Sequence, residues 1–73
     1  MSDEPRVVYA WPKNSLEEVR ATLSTFKGRR LADLRVWTTD EDRPTKKGLA
    51  VRVEDLPRLL EAVEALIAAE RAA

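Results

Sequence analysis

Leu16-Glu17-Glu18-Val19-Arg20-Ala21-Thr22-Leu23-Ser24-Thr25-Phe26, followed by Lys27-Gly28-Arg29-Arg30, is the stretch whose conformation decides the fold. Two periodicities compete in it. Ser15-Leu16-Glu17-Glu18 has the form of a capping box, and Leu16, Val19, Leu23 and Phe26 fall at helical spacing. Val19, Ala21 and Leu23 also alternate with Arg20, Thr22 and Ser24, the pattern of a half-buried strand. Taken alone, the segment leans to a helix. Its neighbour reverses that reading: Lys27-Gly28 makes a tight turn, Gly28 takes a positive φ without steric cost, and a clear strand follows.

That second strand runs from about Arg30 to Thr38. Ala32, Leu34 and Val36 form one face, and Leu31, Asp33, Arg35 and Trp37 the other. Thr38 to Thr45 reads as a polar loop containing Asp40-Glu41-Asp42 and Pro44. Alternation resumes over Gly48 to Val53, with Leu49, Val51 and Val53 inward.

From about Glu54 the period becomes helical. Leu56, Leu59, Leu60, Val63, Leu66 and Ile67 make a wide apolar stripe that ends near Glu70. Glu54 and Asp55 suit the positive end of a helix, and Pro57 is tolerated only in its first turn. Upstream, Arg6 to Trp11 is β-rich and stops at Pro12, which predicts a short edge strand or arm over residues 6–16. Residues 1–5 read as a disordered tail, 17–70 as the single sheet-plus-helix domain and 71–73 as a second tail. The fold class is therefore α+β, with three to four antiparallel strands in a curved sheet. The inward rows need an apolar lid, which the helix supplies, leaving part of its stripe for a second copy.

The totals narrow what the domain can do. A chain of 73 residues buries only about 60% of its unfolded surface and usually needs a staple or a partner. With neither cysteine nor histidine, disulfides, the common zinc sites and nucleophile–histidine catalysis are excluded, so a homodimer is expected. No apolar run reaches the roughly 18–20 residues of a membrane span, and the acidic start is unlike a signal peptide. Asp40-Glu41-Asp42 lacks the spacing of a calcium loop, no phosphate-binding glycine motif is present, and Ser15 and Ser24 have no base beside them. No cofactor, no metal and no enzyme activity are expected.

Lysine and arginine balance aspartate and glutamate at 13 each, which taken alone argues against a polyanion as ligand. Their distribution argues the other way. Arg20, Lys27, Arg29, Arg30 and Arg35 face the single anion Asp33 in the middle of the chain, whereas Glu54, Asp55, Glu61, Glu64 and Glu70 dominate its end. Ordinary mixing of surface charge describes the same numbers equally well.

At these residues the sequence resembles the positive cofactor four family of transcriptional coactivators. The pattern is an aromatic-Lys-Gly-basic turn (Phe26 to Arg29), then Asp33-Leu34-Arg35 with Trp37 close behind. An acidic loop, Pro44-Thr45-Lys46-Lys47-Gly48-Leu49 and a Leu-rich helix follow. The match covers roughly Glu17 to Glu70. It implies a curved antiparallel sheet, a dimer joined largely through the helices, and single-stranded DNA lying across the sheets. It also implies a strand for Glu17 to Thr25. Phe26, Lys27, Arg29, Arg35, Lys46 and Lys47 match the family's DNA-contacting positions. Trp37 stands one residue before the tryptophan familiar in eukaryotic members, where Thr38 falls, and packing at the sheet edge or dimer seam is its alternative to stacking. The serine-rich regulatory region of eukaryotic members is missing, as in a stand-alone prokaryotic or phage version acting in the cytoplasm at the nucleoid.

The expected function is single-stranded DNA binding with little sequence preference, in transcription or DNA repair. Phe26 and Trp37 stack on bases while the cations hold phosphates. The alternatives are core packing for Phe26, an ion pair of Arg35 with Glu18 or Asp33, and a solvated turn for Lys46-Lys47. At the level of the whole chain they are a protein-interaction module for the transcription machinery, RNA binding, or binding to locally melted duplex.

Overall fold

The computed structural model describes residues 5–72. Four strands follow one another, β1 (Arg6–Pro12), β2 (Glu17–Phe26), β3 (Arg29–Thr38) and β4 (Arg43–Arg52), and each pairs antiparallel with the next. A short 3-10 turn, Val53–Asp55, leads into the single helix α1 (Leu56–Ala72). The tail expected over residues 1–5 lies, apart from Pro5, outside the described residues, as does Ala73 of the second tail; α1 itself continues past Glu70.

The ambiguous stretch is extended throughout. Arg20 stands opposite Arg35, Ala21 opposite Leu34 and Leu23 opposite Ala32, with Phe26 meeting Arg29 at the turn. Lys27 (φ 51°) and Gly28 (φ 78°) are both left-handed, the two-residue geometry that matches the twist of a hairpin. At the other end of β2 no helix cap forms. The Asn14 carboxamide oxygen accepts from the Leu16 amide, and the Lys13 and Asn14 amides donate to the Glu17 carbonyl, which closes the β1–β2 connection.

The register sorts the side chains into two faces. One carries Val19, Ala21 and Leu23 beside Ala32, Leu34 and Val36, with Leu49 and Val51 from β4 and Tyr9 and Trp11 from β1. The other carries Arg20, Thr22 and Phe26 beside Arg29, Asp33, Arg35 and Trp37, with Gly48 and Ala50 from β4.

β4 begins at Arg43, within the stretch expected to be loop. As an outer strand it tolerates Pro44, whose missing N–H need not serve a neighbour. Between Arg35 and Trp37 the pairing slips, so that residues 45–47 stand against Val36 alone. Gly48 follows this bulge. A Cβ there would lie 2.3 Å from the Leu34 carbonyl oxygen and 2.7 Å from the Arg35 Cα, both backbone atoms that cannot step aside. Gly48→Ala is expected to lower stability by about 1–3 kcal/mol. The check is a urea melt, in which the midpoint falls and the slope stays unchanged.

The helix does not form the lid that the apolar pattern calls for. α1 packs chiefly against the 3-10 turn and makes no extensive contact with any strand. Leu56 and Leu59 are half-buried, while Leu60, Val63, Leu66 and Ile67 are exposed. Among the described residues only Val36 is buried, at 9% exposure. The radius of gyration, 13.9 Å, exceeds the roughly 11 Å of a compact chain of this length. An amphipathic stripe specifies that it must be covered, not that its own chain covers it.

Candidate nucleic-acid interface

Phe26 ends β2 on the polar face and is 61% exposed, with the Lys27 ammonium 5.3 Å from its ring centroid. Lys27, Gly28 and Arg29 bring two cations to the same corner. A recess of about 600 Å³ opens there, lined by Gly28, Arg29, Arg30, Arg52, Val53 and Glu54. Arg30 belongs to the opposite sheet face, since it pairs with Thr25 and not with Phe26. Among the described residues Lys27, Arg29 and Arg30 have no carboxylate at ion-pair distance.

The centre of the face is built differently. Arg20 and Arg35 are direct cross-strand partners, an arrangement that repels unless carboxylates intervene. Arg35 is held by Asp33, with Nε to Oδ2 and Nη2 to Oδ1 both at 3.0 Å, and its Nη1 donates to the Thr45 carbonyl oxygen at 3.0 Å. The hydrogen bond and charge of Asp33 raise the Arg35 pKa. Arg20 donates through Nε to Glu18 and through Nη2 to Asp42 Oδ1 at 2.7 Å, and those bonds, Glu18 first, raise its pKa in turn. Its guanidinium carbon lies 4.3 Å from the centroid of the Trp37 ring.

The structure thus brings Phe26, Lys27 and Arg29 together at one corner and places Arg35 at the centre of the same face. Trp37 is also there, but Arg20 covers its ring, and its Nε1 is buried without a partner. Lys46 and Lys47 lie in the β4 bulge, near the far end of β3 from the Lys27-Gly28 turn. The Glu17 carboxyl is held below its ordinary pKa first by the Asn14 amide and then by Lys13 and Lys47, against an opposing effect of burial. Sequence reasoning did not single out Arg20. The available signal was period two, which puts Glu18 beside Arg20 and Asp33 beside Arg35 on one face, each a carboxylate two residues before its arginine.

Fold and site together define a class: an open four-stranded antiparallel sheet, polar and basic on one face, followed by a single C-terminal helix. The family model described as Transcriptional Coactivator p15 (PC4) matches residues 13–62, and the chain belongs to that family. Among solved structures it is similar to BPSL1147, a PC4 homolog from Burkholderia pseudomallei K96243, in two crystal forms. The orthorhombic form is 25% identical with a TM-score of 0.75, covering 100% of this chain and 99% of that one. The tetragonal form is 25% identical with a TM-score of 0.77, covering 90% and 98%. No curated protein matches the sequence. No helix among the described residues is long and apolar enough to cross a membrane.

Proposed function

We propose that two copies of the chain form a homodimer that binds single-stranded DNA across the polar sheet face, without catalysis and with little regard to sequence. In this reading it serves as a coactivator-type or repair protein at a prokaryotic nucleoid. The observation that carries the reading is Phe26, a largely exposed aromatic ring at the corner of the sheet face that bears Arg20, Arg29 and Arg35, flanked by cations that no described carboxylate neutralises. A ring in that position stacks on unpaired bases, while Lys27, Arg29, Lys46 and Lys47 hold phosphates and Arg35 contacts the strand between them.

Surface area supports the dimer. The chain exposes 6107 Å², against about 4,600 Å² for a typical folded monomer of 8.3 kDa. An excess of about 1,500 Å² per chain is the scale of an obligate interface. The exposed stripe of α1 is an apolar surface open to it, as is the sheet face with Tyr9, Trp11 and Leu49 that the helix leaves uncovered.

The test is a titration of labelled oligo-dT at several salt concentrations. Lys27→Gln and Arg29→Gln are each expected to flatten the dependence of log affinity on log salt by about 0.7, the value for one single-strand phosphate contact. Absence of binding at low salt would sink the reading. Competition between matched DNA and RNA strands decides the sugar preference, because stacking and phosphate tracking serve both. Pull-down of a transcription protein that added oligonucleotide does not disturb would move the reading toward a protein-interaction module.

A further inference from the structure

The centre of the polar face is not basic. Two guanidiniums, Arg20 and Arg35, are met by three carboxylates, Glu18, Asp33 and Asp42, so this part of the face leans acidic where a strand must cross. The three carboxylates are not equivalent. Glu18 and Asp33 belong to β2 and β3 and are fixed by the sheet. Asp42 belongs to the turn between β3 and β4, twenty-two residues from Arg20 in sequence, and its side chain is 73% exposed. Its place in a turn and its greater exposure make it the freest of the three to move away.

We propose that Arg20 is a further phosphate site, held closed by Asp42, so that the β3–β4 turn acts as an acidic latch over the track. This rests on the single-strand reading above. The guanidinium is ready for a phosphate. Stacking on Trp37 and the bond to Glu18 fix its plane, and its side chain is only 18% exposed. The edge that points to Asp42 is an Nη donor, and a phosphate oxygen makes the same charge-assisted hydrogen bond as a carboxylate oxygen. With its Asp42 carboxylate 73% exposed, the Arg20–Asp42 pair can be exchanged for a pair with another anion. Arg35 offers no such exchange, because Asp33 and the Thr45 carbonyl take both sides of its fork. When a strand arrives, its phosphate takes the place of Asp42, and the centre of the face gains a cation.

The test compares wild type with Asp42→Asn and Asp40→Asn in the oligo-dT titration. Asp40 provides the control: it carries the same charge in the same turn, and its carboxylate accepts from the Glu41 amide, not from Arg20. Asp42→Asn is expected to bind more tightly than wild type with the same salt slope, because the phosphate meets Arg20 in both, whereas Arg20→Gln should flatten the slope by about 0.7. Asp40→Asn should bring no such gain in affinity. In an Arg20→Gln background, Asp42→Asn should bring no gain.

Equal gains from Asp40→Asn and Asp42→Asn, or a gain that survives the loss of Arg20, would reduce the effect to net charge and overturn the latch. Wild-type binding with no difference in Asp42→Asn overturns the latch alone. Failure of wild type and every variant to bind overturns the single-strand reading and the latch with it.

Discussion

Replacing Phe26 with alanine is expected to weaken oligo-dT binding by about 1–3 kcal/mol, roughly 5- to 150-fold in Kd, and to leave the salt slope unchanged. Both parts follow from the position of the ring. At 61% exposure beside a hairpin turn it supports little of the fold, so truncation should change stability by no more than about 0.5 kcal/mol. It carries no charge, so its loss releases no counterions. Phe26→Trp should bind at least as well as wild type, and Phe26→Leu, apolar but without a π face, should fall close to alanine. A large drop in thermal stability for Phe26→Ala would identify the ring as a packing residue instead. An unchanged Kd would remove stacking at this site from the mechanism.

The second large effect is expected in α1. Leu66→Glu puts a carboxylate into an apolar stripe in which Leu66 is 70% exposed and Leu60, Val63 and Ile67 are also open. If two copies cover each other there, the substitution enters the interface twice, as in any two-fold contact. Losing a packed leucine costs about 2–5 kcal/mol each time, before the carboxylate is desolvated. For a domain of this size the Tm falls by roughly 20 °C or more. The single chain has little core to fall back on, with Val36 its only buried described residue, so dissociation and unfolding should coincide. Sedimentation equilibrium and melts at several protein concentrations check this. In wild type the Tm should rise with concentration, and in Leu66→Glu the dimer should disappear. A stable, folded monomer in wild type, or a dimer that survives Leu66→Glu, would refute the interface.

What the sequence made legible follows from which interactions are local. The β3 alternation needs no information beyond the segment itself, and the register confirms its two faces residue by residue. The β2 stretch was readable only through its neighbour. Leu16, Val19, Leu23 and Phe26 satisfy a helix, and the Lys27-Gly28 turn excludes one because both residues adopt a left-handed conformation that returns the chain antiparallel. The start of β4 was hidden by Pro44 and the lysine pair, which look like loop until the strand is known to be an outer one. The placement of α1 was hidden for a different reason, since its stripe carries no label for the chain that should cover it. At the site, Phe26 and the turn cations were visible as a motif. Arg20 was not singled out, because what defines it is Trp37 beneath and Asp42 beside, contacts that form only once the sheet brings distant residues together.

The slip in β4 and the proline next to it bear on how the molecule behaves when crowded. Both outer strands are irregular: β1 shifts register between Val7 and Tyr9 and ends at Pro12, and β4 carries Pro44 and the lysine-bearing bulge. A ribbon with two bare rims would otherwise template its own growth, each newcomer zipping its backbone onto the last. Kinks, missing donors and like charges along the rims frustrate that zipping. Concentrated solutions should therefore stop at particles of defined size and not run on into fibres.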